Sequence, residues 1–351
     1  MKIAIFLPNW LGDLVMATPT LRAVRRHFAD ARIVGILRPY LTDVLAGTHW
    51  FDELWPHHHR AKAPEQRHWA LVRRLRQERF DMALLLPNSM RTALVARLGG
   101  VRQRVGYARY GRGPLLTQKL HVPKSNGCFV ERPIVETYLG IAEAVGCPPE
   151  TPKLELATVD ADERSADGVW KALGLRGDRV IALNSGSSNG QARFWPVEHF
   201  GKLASRIAGE LDHDVLIMCG PKERDLARQV AAQAKNPRVV SMADQPMDFG
   251  TAKACIRRCQ MMISTDSGPR HVAAALGKPV VTLYGPTLPL WSANPTVVAV
   301  DIQLDLECAN CQNRVCPLGH HKCMSDLKPD RVFGEVARLL HNKKARTAFA
   351  A

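Results

Sequence analysis

Three short runs in this 351-residue chain gather carboxylates, hydroxyls, glycines and a cation at spacings that could do chemistry. The first is Pro8-Asn9-Trp10-Leu11-Gly12-Asp13. Gly12 permits a tight turn and close approach of a ligand, and Asp13 falls where a helix would start. A carboxylate there has two uses. It can cap the helix, the ordinary work of Asp and the reading that spacing alone favours, or it can take a proton from a hydroxyl within hydrogen-bond reach. The second run is Ser185-Gly186-Ser187-Ser188-Asn189-Gly190-Gln191-Ala192-Arg193-Phe194-Trp195-Pro196. Small hydroxyl residues and glycines ahead of a helix form a nest of backbone amides suited to phosphate, with Arg193 as a nearby cation. It matches neither a P-loop nor the G-x-G-x-x-G fingerprint. The third run, Ser264–Leu276, sets Asp266, Ser267, Gly268 and His271 around Pro269, a residue that a helix accepts in its first turn. That is an anion-friendly helix terminus beside a carboxylate able to accept sugar hydroxyls. A purely structural cap is the alternative.

The elements that must position these runs alternate. Lys2–Leu7 reads as a buried strand, Leu14–Phe28 as a helix with Leu14, Leu21, Val24 and Phe28 on one stripe, and Arg32–Leu37 and Met82–Leu86 as further strands. The same rhythm restarts later. Val180–Asn184, Asp214–Cys219, Met261–Ser264 and Val280–Tyr284 read as strands; Val197–Ile207, Asp225–Ala234 and Arg270–Leu276 read as helices. Strands separated by helices imply parallel βαβ units. The texture breaks between residues 147 and 168, where Cys147-Pro148-Pro149-Glu150-Thr151-Pro152 precedes an acidic, weakly periodic stretch. A domain boundary is expected there, giving domains 1–155 and 156–351. Two such sheets would leave a cleft between their carboxyl edges, where open parallel sheets bind ligands. A terminal amphipathic helix is expected over Asp330–Leu340.

Composition narrows the class. Apolar residues are 46% and charged residues 23% of the chain, which is that of a globular protein, and no apolar run reaches the ~18 residues that span a bilayer. Pro8, Asn9 and Asp13 interrupt the opening apolar run, so a buried strand is expected there rather than a signal peptide. Lys and Arg exceed Asp and Glu by 48 − 33 = +15. The excess is uneven: residues 1–150 hold 22 basic and 12 acidic side chains. No acid lies between Asp81 and Glu131, a span that holds Arg91, Arg97, Arg102, Arg104, Arg109, Arg112, Lys119 and Lys124. Such a field attracts polyanions, or it is only a solvated basic face. A nucleotide-binding or nucleic-acid-binding protein would carry a recognisable motif and more than 6% aromatics with which to stack bases. No nucleic-acid partner is expected.

Asn-Trp-Leu-Gly-Asp-Leu-Val-Met-Ala-Thr-Pro at 9–19, Leu-Pro-Asn-Ser at 86–89, Phe-Trp-Pro at 194–196, Thr-Asp-Ser-Gly-Pro-Arg-His-Val-Ala-Ala-Ala-Leu-Gly at 265–277 and Leu-Tyr-Gly-Pro-Thr at 283–287 together resemble glycosyltransferase family 9. Five motifs in the right order cover nearly the whole chain. The resemblance implies a GT-B fold of two facing Rossmann-like domains, inverting transfer of heptose from ADP-heptose to the lipopolysaccharide inner core, and no catalytic cofactor. It puts the general base on Asp13 and acceptor contacts on Asn9, Gly12 and Asn88, with heptosyl-Kdo-lipid A as acceptor. Donor contacts fall on Ser187, Ser188, Arg193, Asp266, Ser267, Gly268 and His271, and nucleoside contacts on Lys222 and Glu223. Arg193 stands where relatives usually carry lysine, replacing a point charge by a planar fork. Such an enzyme would work in the cytoplasm, peripherally at the inner leaflet of the inner membrane. Another donor or acceptor on the same fold is the alternative.

Nine cysteines without a secretory signal argue against a disulfide scaffold. Cys308-x2-Cys311-x4-Cys316-x6-Cys323, with His320 and His321 inside, could enclose a structural metal. The spacing matches no common metal pattern, and reduced thiols or an acceptor-binding loop are the alternatives. His57-His58-His59-Arg60 reads as a solvated loop rather than a ligand set.

Overall fold

The computed structural model describes residues 1–186, 190–246 and 248–341. Two compact units divide the chain: residues 1–154 with 290–294, and residues 155–289 with 295–351. The short return segment is tied to the first unit, with Asn294 Nδ2 donating to the Pro152 carbonyl at 2.7 Å and Trp291 Nε1 donating to Glu131.

The first unit runs β1 (Lys2–Phe6), α1 (Leu11–Met16), α2 (Thr18–His27), β2 (Arg32–Leu37), β3 (Glu53–Pro56), α3 (His68–Glu78), β4 (Met82–Leu85), α4 (Met90–Leu98), β5 (Gln103–Tyr107), β6 (Gln118–Leu120), a short antiparallel pair β7 (Lys124–Ser125) and β8 (Cys128–Phe129), and α5 (Ile134–Ala144). Its six-stranded sheet has the order β3-β2-β1-β4-β5-β6, with parallel pairing throughout. The second unit runs α6 (Asp160–Leu173), β9 (Val180–Asn184), α7 (Val197–Glu210), β10 (Asp214–Met218), α8 (Arg224–Ala234), β11 (Val239–Ser241), α9 (Phe249–Arg258), β12 (Met261–Thr265), α10 (Gly268–Ala275), β13 (Val280–Tyr284), β14 (Ala299–Gln303), α11 (Lys322–Ser325) and α12 (Pro329–His341). Its sheet repeats the topology as β11-β10-β9-β12-β13-β14, again parallel. Strands β1, β4, β9 and β12 are the central ones and, apart from polar residues at their ends, read as apolar runs, as expected of parallel strands covered on both faces.

Sequence and structure differ at three instructive places. The helix expected over Leu14–Phe28 is two helices, α1 and α2, meeting at Ala17. Pro19 has no N–H to offer the Val15 carbonyl, and Thr18 Oγ1 donates to that carbonyl instead, at 2.8 Å. The acidic stretch after Pro152 is not linker to its end. Asp160, Asp162 and Glu163 form the first turn of α6, where carboxylates complement the helix dipole, and Asp162 accepts from the Val159 amide at 3.3 Å. The histidine run is a loop with Arg60 exposed, as expected, but His57, His58 and His59 are half-buried in it. His57 donates from Nδ1 to the Gln66 carbonyl at 2.8 Å and packs on the His68 ring at 4.9 Å, while His59 stacks on His68 at 5.8 Å.

Burial, with the repulsion of His68 next, pulls the His57 imidazole down from 6.5 to about 4. The unfolded chain therefore takes up this proton before the folded one, and stability falls as pH drops from 6.5 toward 4. We expect His57→Gln, which keeps a donor for Gln66 but cannot titrate, to flatten that part of the melting-temperature profile. Parallel profiles for parent and variant would contradict it.

Candidate active site

An open parallel sheet binds ligands where its strand order reverses, outside the carboxyl ends of the strands. In the first unit that point lies between β1 and β4, which are direct neighbours. The loop after β1 carries Asn9 and leads into Gly12 and Asp13 in the first turn of α1, and the loop after β4 carries Leu86–Ser89. Two of the sequence motifs therefore meet at one sheet edge.

Asp13 is not the helix cap that spacing favoured. Trp10 occupies the cap position with no side-chain hydrogen bond, and Asp13 lies in the first turn of α1, half-buried. Burial, and then the charge of Asp13, hold the phenol of buried Tyr138 on α5 well above its ordinary value. Gly12 sits inside the same helical turn without a positive φ, so it makes no tight turn there. Asn9 is exposed and anchored: its Oδ1 accepts from Arg38 Nε at 2.9 Å and its carbonyl from Tyr40 Oη at 2.6 Å. Arg38 and Tyr40 also line an open pocket of about 390 Å³ with His58, Lys62 and Gln66. Asn88 is half-buried and accepts through Oδ1 from Arg112 at 2.9 Å.

Arg112 overturns part of the reading of the basic stretch, because it is fully buried rather than on a solvated face. Arg104 likewise spends its guanidinium on the carbonyls of Leu115, at 2.7 Å, and Val101, at 2.6 Å. Arg91, Arg97, Arg102, Lys119 and Lys124 do remain exposed.

In the second unit the order reverses between β9 and β12. Ser187 and Ser188, in the loop after β9, lie outside the described residues, while Gly186 and the segment from Gly190 are described. Arg193 crosses to the loop after β12: its Nη1 donates to the Asp266 carbonyl at 2.6 Å and lies 3.1 Å from Asp266 Oδ2. Ser267 caps α10 by position but not through its side chain; its Oγ accepts from Asn184 Nδ2 at 2.9 Å and lies 3.0 Å from Ser264 Oγ. Gly268 opens α10 directly after it. Asn184, nearly fully buried, also donates to the Gly186 carbonyl at 2.9 Å. This lock between the two strand ends was missed in the sequence. A polar residue closing an otherwise apolar buried strand was its only signal.

His271 faces inward. It is 5% exposed, and burial followed by the neighbouring Arg270 charge holds its imidazole well below the usual range, so it is neutral. Arg270 is buried as well, its Nε donating to Thr282 Oγ1 at 2.9 Å and its Nη2 lying 3.8 Å from Asp301. Glu223 accepts from the Gly220 amide at 2.9 Å, and its carboxylate packs so closely on Gly186 that a side chain there would overlap it. Lys222 is exposed.

The cysteine-rich segment is bonded to the backbone of Ala192. Ala192 N–H donates to the Arg314 carbonyl at 3.0 Å, and His321 Nε2 donates to the Ala192 carbonyl at 2.7 Å. Gly190, at φ +117°, lies so near the Arg314 backbone that no side chain fits. Trp195, two residues after Arg193, is buried against Phe200 and donates to the Leu327 carbonyl at 2.8 Å. Burial, and then the other three thiols of the segment, push Cys323 up to about 11, whereas backbone amides, that of His321 foremost, lower Cys316. Among the described residues no group of three or more His, Cys, Asp or Glu side chains is arranged to hold a metal ion. Cys308, Cys311, Cys316 and Cys323 form no disulfide. Among the described residues no helix is long and apolar enough to cross a membrane.

Two Rossmann-like open parallel sheets, each with polar groups at its switch point, make up the GT-B fold. Solved structures agree on the fold: a family 9 glycosyl transferase from Veillonella parvula aligns at a TM-score of 0.80 and 22% identity over 97% of each chain. The Escherichia coli ADP-heptose lipopolysaccharide heptosyltransferase II aligns at 0.77 and 24%, covering 97% of this chain and 98% of that one. The profile of glycosyltransferase family 9 (heptosyltransferase) matches residues 68–322, and the chain belongs to that family. Among its relatives, lipooligosaccharide heptosyltransferase 2 of Campylobacter jejuni is 27% identical over 97% of this chain and 99% of its own length. Lipopolysaccharide heptosyltransferase 2 of Escherichia coli is 27% identical over 98% and 100%.

Proposed function

We propose that this glycosyltransferase moves a heptose from ADP-heptose onto the lipopolysaccharide inner core, with inversion at the anomeric carbon. The observation that carries the reading is the match between motif and topology. A carboxylate sits at the switch point of one sheet and a cation–carboxylate pair at that of the other, in a chain collinear over its length with proteins named heptosyltransferase 2. Asp13 takes the proton of the acceptor hydroxyl as that oxygen attacks the anomeric carbon and the ADP leaves. Asn9 and Asn88 orient the acceptor, heptosyl-Kdo-lipid A. Gly12 lets the acceptor approach the first turn of α1. Arg193, Ser187 and Ser188, and the α10 terminus at Ser267 and Gly268 stabilise the leaving diphosphate. Asp266 accepts from heptose hydroxyls, and Lys222 and Glu223 lie toward the nucleoside. Neutral, buried His271 supports the α10 terminus from within rather than meeting the diphosphate as a cation.

We place the enzyme in the cytoplasm, held peripherally at the inner membrane by the exposed cations of its first unit. The test is a donor panel: purified protein, a truncated heptosyl-Kdo-lipid A acceptor, and ADP release read against several nucleotide sugars. ADP-heptose should be used in strong preference, and nuclear magnetic resonance of the product should show the inverted anomer. Equal use of another nucleotide sugar would overturn the assignment.

A further inference from the structure

Among the described residues Arg112 is the largest side chain that is buried completely. Its partners are all neutral oxygens: Nε donates to the Tyr107 carbonyl at 2.8 Å, Nη1 to the Pro87 carbonyl, and Nη2 to the Leu85 carbonyl at 3.3 Å and to Asn88 Oδ1 at 2.9 Å. Among the described residues no carboxylate pairs with it. A buried, uncompensated cation is expensive, and burial alone brings its pKa down to about 10. The backbone makes room for it: a side chain at Gly106 would meet Nη2 at 2.9 Å. Three of the four acceptors belong to the end of β4 and the loop after it, Leu85, Pro87 and Asn88.

A guanidinium only donates. The atom of Asn88 that faces it must therefore be the amide oxygen, which leaves the Asn88 NH₂ directed away from Arg112. Polarised by a cation behind it, that NH₂ is a better donor than a solvated amide, and the half-buried setting of Asn88 lets a ligand reach it. We infer that Arg112 is a positioning residue that fixes Asn88 as a hydrogen-bond donor to an oxygen of the acceptor, with a buried positive charge behind the contact. This rests on the proposed acceptor role of the first unit. The ligand chemistry it selects is an oxygen acceptor, best an anionic one such as a carboxylate or phosphate.

The experiment compares Asn88→Ala, Arg112→Lys and the double variant in the full-length enzyme, with de-O-acylated heptosyl-Kdo-lipid A as acceptor and ADP-heptose as donor. Asn88→Ala should raise the acceptor KM by about ten- to a hundredfold, the range of a charge-assisted hydrogen bond, with donor KM unchanged. Arg112→Lys keeps the charge but loses the fork, and should shift the acceptor KM in the same direction. In the double variant the two effects should not multiply, because Arg112 acts through Asn88. An Arg112→Lys enzyme with a lower melting temperature and parental KM values would show a purely structural arginine and overturn the inference. Multiplying effects would overturn it too. An unchanged acceptor KM in Asn88→Ala alone would instead overturn the acceptor reading of this loop, and the inference with it. If Arg112→Lys does not fold, Arg112→Gln is measured in its place against the same outcomes.

Discussion

Asp13→Asn is expected to remove turnover by about 10²–10⁴-fold while leaving ADP affinity unchanged. The substitution keeps the shape of the side chain and its place in the first turn of α1, and takes away only the capacity to accept a proton. Asp13 belongs to the first unit, whereas the residues proposed for the nucleotide belong to the second, so calorimetric titration with ADP should not distinguish variant from parent. Single-turnover measurement is the decisive readout, since it isolates the chemical step from product release. A variant that turns over at the parental rate would strip Asp13 of its role as base.

The second large effect concerns the ion pair between Arg193 and Asp266. Asp266→Ala removes both the proposed acceptor of sugar hydroxyls and the carboxylate 3.1 Å from Arg193 Nη1. Losing a charge-assisted hydrogen bond costs about 2 kcal/mol, or about thirtyfold in kcat/KM for the donor. ADP itself should bind as well as before, or better, because the guanidinium released from Asp266 becomes available to the diphosphate. Arg193→Ala should do the opposite, weakening ADP and donor together. Affinities for ADP and ADP-heptose measured side by side in the two variants test the assignment, and they should diverge in Asp266→Ala and fall together in Arg193→Ala. Parallel losses in both variants would mean that Asp266 serves the diphosphate and not the sugar.

How much of this was legible before the fold was seen depends on the range of the interactions. The central strands announced themselves as short apolar runs, and β2, β9 and β13 have the ends expected for them. Edge strands did not: β6, Gln118–Leu120, is polar and gains its place only by pairing with β5. Motif positions were visible because each follows a strand, yet local spacing misassigned their neighbours. Asp13 looked like a cap, but the helix starts earlier, at Leu11. Arg112 looked like one more surface charge in an acid-free stretch, and its partners lie up to 27 residues away in sequence. Contacts of that kind, like the Asn184–Ser267 lock across 83 residues, leave no periodic trace.

The latch on Ala192 bears on the order in which a working enzyme can come into being. Every strand of the second sheet from β9 to β14 has been synthesised by residue 303, so that sheet can assemble on the ribosome before the chain is finished. Arg314, His321 and Leu327, which hold Ala192 and Trp195 on either side of Arg193, emerge only afterwards. Domains of growing chains fold as units from the N-terminus onward. A nascent chain stopped short of these residues would carry a complete sheet with Ala192 and Trp195 untethered. The ties on either side of Arg193 can therefore form only after the last strand of the second sheet has been made.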